Sequence, residues 1–213
     1  MTDSIIFDLD GTLWDSTEIV AKAWNEVLSA EPSINLHLTA DDLKKLFGRP
    51  LPVIASILFN TLPEKEQLEL MDRCCAQEHI ALSKECGILF PELENTLKVL
   101  SSQYKLFIVS NCEAGYIETF LESSGLSSYF QDFECPGNSG LLKGDNNKLV
   151  VERNHLKSPV YVGDTQGDAD AAAYAGIPFI FAKYGFGEVK DYEYYIEKFS
   201  QLPNLLATTK AFL

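Results

Sequence analysis

The chain has 213 residues, 46% of them hydrophobic and 23% charged, and its 31 acidic against 17 basic residues give a formal charge of -14. That length accommodates one sizeable α/β core and a small second domain, and the composition excludes disordered and fibrous classes. The acidity, with no Lys/Arg cluster, excludes nucleic acid as a partner, and any phosphate site must be made locally positive by a metal ion, a lysine or backbone amides.

The first element is the apolar run Ser4-Ile5-Ile6-Phe7, a buried parallel strand by its composition, which opens into Asp8-Leu9-Asp10-Gly11-Thr12-Leu13. Two carboxylates two residues apart at a strand end face one side. One can attack phosphorus while the other, its pKa raised by burial or by its neighbour, protonates the leaving oxygen and later activates water. Gly11 lets the chain turn and brings backbone amides close. Trp14 follows, where it can pack between the two parts of the chain or line the substrate pocket, and packing is favoured because tryptophan is commonly buried.

From about Ser16 to Ser83 the spacing of apolar residues turns helical, over Ile19 to Leu28, Ala40 to Phe47, Val53 to Phe59 and Glu64 to Leu82, with turns at Glu31-Pro32-Ser33, Gly48-Arg49-Pro50 and Leu62-Pro63. This predicts a helical domain at 16–83 inserted into an α/β domain made of 1–15 and 84–213. Arg49, in the middle turn, is a candidate phosphate or substrate contact, since a guanidinium meets phosphate bidentately.

Strand-like runs resume at Lys105 to Val109, Pro159 to Val162 and Ile177 to Phe181, separated by helical stretches at Glu92 to Leu100, Ala114 to Glu122, Asp145 to Asn154 and Asp168 to Ala175. The alternation predicts a doubly wound parallel sheet, whose ligands bind at the carboxyl ends of the strands. Three polar clusters join Asp8 and Asp10 there. Ser110-Asn111 can hydrogen-bond a phosphoryl oxygen, and Lys143, between Leu142 and Gly144, can offset charge at the nucleophile and the transferring group. Gly163-Asp164-Thr165-Gln166-Gly167-Asp168 offers hard carboxylate oxygens at an interval of four, which suits Mg²⁺.

The five cysteines are an odd number without zinc-site spacing and read as reduced structural thiols, Cys112 included. His37, His79 and His155 lie away from these clusters. No signal segment and no apolar run of spanning length is present, which points to a cytoplasmic protein with no membrane partner.

In this order the clusters resemble the haloacid dehalogenase superfamily, whose phosphatases carry Asp-x-Asp-Gly-Thr, a Ser/Thr after the next strand, a Lys, and Gly-Asp-x-x-x-Asp. The helical insert looks like the cap of the subfamily that includes phosphoglycolate phosphatase. The resemblance implies that Asp8 is the nucleophile and Asp10 the acid/base. It further implies that Ser110 and Lys143 stabilise the phosphoryl group, and that Asp8, the Asp10 carbonyl and Asp164 hold Mg²⁺, with Asp168 supporting the metal.

The expected substrate is a small phosphorylated metabolite, and the expected state a monomer or a dimer. Superfamily dehalogenases lack the second carboxylate, since a halide leaves without a proton, so Asp10 argues against dehalogenation. A sugar-phosphate mutase is the alternative, although Leu51 stands where mutase caps carry an arginine. A non-catalytic binding protein is a third reading.

Overall fold

The computed structural model describes residues 2–209. In chain order its elements are β1 (Ser4–Phe7), β2 (Trp14–Asp15), α1 (Thr17–Ser29), α2 (Ala40–Lys44), α3 (Leu51–Leu58), α4 (Glu64–Leu82), β3 (Ile88–Leu89), α5 (Leu93–Ser101) and β4 (Lys105–Val109). They continue with α6 (Tyr116–Ser124), β5 (Phe130–Glu134), α7 (Pro136–Ser139), α8 (Lys143–Arg153), β6 (Pro159–Gly163), α9 (Gln166–Ala175), β7 (Phe179–Ala182), β8 (Tyr194–Ile196) and α10 (Leu202–Thr208).

Six strands form one parallel sheet in the order β5-β4-β1-β6-β7-β8. The apolar residues alternate between its two faces. Ile5, Phe7, Leu106, Ile108, Val160 and Val162 point into one hydrophobic cluster, whereas Ile6, Phe107, Val109 and Tyr161 point into the other with Val150 of α8 and Ala172 of α9. Burial on both faces is why these strands read as continuous apolar runs. The fold is thus a doubly wound α/β sheet carrying an α-helical insert.

Between β2 and β3 the chain is helical, with α1 and α4 packed together. Thr39 starts α2 through a capping box with Asp42, and Pro50 and Pro63 stand just before α3 and α4, where a missing N–H costs nothing. Trp24, Phe47, Phe59 and Cys74 of this region belong to the same hydrophobic cluster as Ile5 and Phe7 of the sheet. Trp14 is fully buried there, edge-on to Tyr116 and Phe120, so it packs as expected.

Several elements were not expected from the sequence. β5 and β8 are edge strands, and β2 and β3 make a two-residue antiparallel pair. α8 begins at Lys143 rather than Asp145, which makes Lys143 its first helical residue, and α6 begins at Tyr116, after a left-handed Gly115.

Candidate active site

β1 is flanked by β4 and β6, so the loops leaving these three strands meet at one edge of the sheet, bringing Asp8, Ser110 and Asp164 together from distant parts of the chain. Asp8 is 1% exposed and Asp164 and Asp168 are fully buried. One carboxylate oxygen from each of the three lies within 4.8 Å of the others. Gly11 makes the approach possible: its φ is 81°, and a Cβ on it would collide with the Asp164 carboxylate.

Lys143 enters from the start of α8. Its Nζ donates to Asp8 Oδ1 at 2.6 Å and also to Asp168 Oδ1. Burial opposes its charge, but Asp168 and Asp8 hold its pKa well above the usual lysine range, so it remains an ammonium ion. The other oxygen of Asp168 accepts from the backbone N–H groups of Asp164 and Thr165 and from the Thr165 hydroxyl, as part of the capping box that starts α9. Asp168 thus spends both oxygens on aiming Lys143 and on fixing the loop after β6.

Asp164 Oδ2 accepts from the backbone N–H groups of Phe186 and Gly187 at 2.7 and 3.3 Å, while Thr12 Oγ1 stands 3.4 Å from Oδ1. Burial, then Asp168 and Asp8, push the Asp164 pKa well above the carboxylate range. Burial and the Asp168 charge likewise push Asp8 up to about 7 against the pull of Lys143. Three carboxylates face one ammonium here, and Asp8 Oδ2 is buried without a hydrogen-bond partner. A hard divalent cation fits this set of buried carboxylate oxygens, because it would offset the negative charge that one ammonium leaves unbalanced.

Asp10 points elsewhere, and its carboxylate is not part of that cluster. Ser16 Oγ and Tyr116 OH donate to its Oδ1 at 2.8 and 2.9 Å and lie 2.9 Å from each other. Burial raises the Asp10 pKa to about 6 although both hydroxyls pull it down. With Oδ1 occupied as an acceptor, a proton carried by Asp10 belongs on Oδ2. That is the arrangement a general acid requires.

A cavity of about 30 Å³ lies over Asp8, Asp10 and Ser110, roofed by Trp24, Arg49 and Glu78 from the helical insert. Asn111 does not leave its amide free for a ligand: Nδ2 donates to Gly48 O at 2.8 Å, which ties the α2–α3 loop to the sheet edge. Beyond that contact a groove of about 680 Å³ is lined by Lys44, Lys45, Arg49 and Lys143 against Asp170 and Glu188. This is the locally positive approach that a chain of charge -14 needs in order to admit an anion.

Cys112 is buried, and burial holds its thiol well above the ordinary range, so it is not a nucleophile. Two participants were absent from the sequence reading. Ser16 and Tyr116 are ordinary hydroxyl residues at a helix cap and a helix start, and no spacing rule connects positions 100 apart. Asp168 was expected beside the metal; it lies in the carboxylate cluster, and its oxygens accept from Lys143, Tyr161 and the loop after β6.

A family model described as haloacid dehalogenase-like hydrolase matches residues 5–182. A phosphoglycolate phosphatase of Rhodobacter capsulatus is 30% identical over 192 residues, covering 87% of this chain and 86% of that protein. Another from Salmonella typhi is 27% identical, covering 87% and 83%. The crystal structure of a protein from Clostridium acetobutylicum described as a predicted phosphatase superposes with a TM-score of 0.84 at 22% identity, covering 98% of this chain and all of that one. CbbY of Rhodobacter sphaeroides, solved in complex with xylulose-(1,5)bisphosphate, superposes with a TM-score of 0.78 at 17% identity, covering 95% and 96%. The structural matches bear on the fold, and no described helix is long and apolar enough to cross a membrane.

Proposed function

The chain belongs to the haloacid dehalogenase-like hydrolase family, and from that premise we propose that this phosphatase is magnesium-dependent and works through an aspartyl-phosphate on a small phosphorylated metabolite. The observation that carries this reading is the state of Asp8, with one oxygen fixed by Lys143 and the other buried without a partner at the cavity floor. A nucleophile needs one oxygen oriented and one free.

In this reading Asp8 Oδ2 attacks phosphorus, the ester bond breaks, and the proton on Asp10 Oδ2 passes to the departing oxygen. Ser16 and Tyr116 hold Asp10 in the orientation for that transfer. Asp10 then takes a proton from the water that cleaves the aspartyl-phosphate, which returns Asp8 and releases phosphate. Lys143 and Ser110 stabilise the equatorial oxygens. Asp8, Asp164 and the Asp10 carbonyl would hold Mg²⁺, which when bound neutralises nucleophile and phosphate so that they can approach. Asp168 acts as a positioning residue for Lys143.

The division into a core of 1–15 and 84–213 and a cap of 16–83 belongs to the same proposal. It is supported by the all-helical run between Asp15 and Ile88 and by the Asn111 to Gly48 bond across the boundary. Opening there admits substrate, and closure excludes water. The sugar-phosphate mutase alternative is less well supported, because the cavity-lining residue Leu51 stands where mutase caps carry an arginine.

Acid-quenched mixing with p-nitrophenyl phosphate and Mg²⁺ tests the mechanism. Intact-protein mass is expected to rise by one phosphoryl group in the wild type and not in Asp8→Asn. Phosphate release without any phosphorylated protein would defeat the aspartyl-phosphate.

A further inference from the structure

Glu78, in the middle of α4, is 5% exposed and lines the cavity above Asp10. One of its oxygens accepts from Trp24 Nε1 at 2.6 Å. The other makes no hydrogen bond within the described residues. The charged groups that act on Glu78 are Asp10 and Glu113, both acidic, and burial holds its pKa well above the glutamate range. A neutral amide would satisfy the Trp24 N–H equally well, so the indole does not explain a buried carboxyl beside two others.

Glu113, three residues beyond Ser110, lines the same cavity from the sheet side and makes no ion pair among the described residues. Among the described residues Arg49 is the only basic one lining the cavity, at the rim it shares with the groove, against Asp8, Asp10, Glu78 and Glu113. With the two aspartates committed to phosphoryl chemistry, the space left for the alcohol half of an ester is bounded by Glu78 and Glu113, with Trp24 and Ile54 as its apolar walls. A hydroxyl or ammonium finds acceptors there. A carboxylate would add a further acidic group to a poorly hydrated space that already holds four of them against a single guanidinium.

We infer that Glu78 and Glu113 form the leaving-group subsite, and that it takes an alcohol bearing a further hydroxyl or ammonium hydrogen-bond donor in preference to one bearing a carboxylate. This rests on the phosphatase reading above. It also separates this chain from the substrate in the names of its relatives, whose leaving group, glycolate, is an anion.

The test is kcat/KM in Mg²⁺ for glycerol phosphate, phosphoethanolamine and phosphoglycolate, with p-nitrophenyl phosphate as the reference. At least one donor-bearing ester is expected to exceed phosphoglycolate by about ten-fold or more, and which of the two leads identifies hydroxyl or ammonium. Glu78→Gln, which keeps the acceptor for Trp24, is expected to reduce that ratio by about ten-fold, chiefly through KM. Glu113→Gln, on a half-buried residue whose change does not threaten folding, should reduce it by about three-fold.

Equal or better use of phosphoglycolate by an enzyme that hydrolyses p-nitrophenyl phosphate overturns the subsite and leaves the phosphatase standing. Ratios unchanged in both variants do the same. No hydrolysis of any ester, p-nitrophenyl phosphate included, overturns the phosphatase reading itself and the subsite with it.

Discussion

The carboxylate cluster at and below the cavity floor is fixed by the main chain, whereas the cavity roof is fixed by side chains. Asp8 and Asp164 leave adjacent parallel strands, Lys143 opens a helix, and Asp168 is tied down by backbone amides. Above them, Trp24, Arg49 and Glu78 come from two helices and a turn, and their directions depend on packing within a separate layer. The difference implies a division of labour. Changes in the floor should affect all substrates alike, and changes in the roof should alter which substrate is used.

The largest expected effect is in the floor. Asp8→Asn should lower kcat by at least about a thousand-fold for every ester, because no other carboxylate can take its place in line. Phosphate release measured across several esters checks this. A loss that differs strongly between them would break the floor-and-roof division.

Metal removal comes next. Chelation should abolish turnover, and saturating Mg²⁺ at about 100 times its Kd should stabilise the protein by about 2.7 kcal/mol, roughly 5–10 °C in Tm for a chain of this size. Asp164→Asn should lose that shift, yet the chelated variant should melt no lower than chelated wild type. The substitution relieves a buried carboxylate whose charge is opposed by burial, Asp168 and Asp8. A chelated variant much less stable than wild type would mean that Asp164 is held by something other than a missing cation.

A smaller effect is expected at Tyr116, which joins the two sides, since it belongs to α6 yet lines the cavity and holds Asp10. Tyr116→Phe removes one of two donors to Oδ1. It should slow esters of aliphatic alcohols by about ten-fold and p-nitrophenyl phosphate by about two-fold or less, because nitrophenolate leaves without a proton. An equal loss on both would mark Tyr116 as packing alone.

The same contrast explains what could be read from the sequence. β1, β4 and β6 were legible because both faces are buried and their residues are uniformly apolar. β5, with Gln131 and Asp132 in its middle, and the three-residue β8 are edge strands whose exposed sides break the pattern. Asp8, Asp10, Lys143 and Asp164 were legible because each sits at the end of a legible element. Glu78 was not: α4 has charged residues on most of its surface, and nothing in Gln77-Glu78-His79 distinguishes the buried carboxyl from exposed ones. Asn111 was read as a substrate contact from its place after β4; the structure spends its amide on Gly48, on a segment the sequence does not connect with it.

The smallest effect concerns the roof alone and carries a definite sign. Burial raises the folded-state pKa of Glu78 above its ordinary 4.5, so the stability linked to its proton is complete below about pH 4.5 and is lost as pH rises through the folded value. A glutamine there does not titrate. Wild type and Glu78→Gln should therefore melt together near about pH 4, and the variant should melt higher by about 2–4 °C near about pH 8, a difference of about 1 kcal/mol. A variant that is less stable at the higher pH would mean that Glu78 is held as an anion in the closed protein. The roof would then contain a fixed negative charge rather than a neutral carboxyl, and an ammonium rather than a hydroxyl would be the donor it selects.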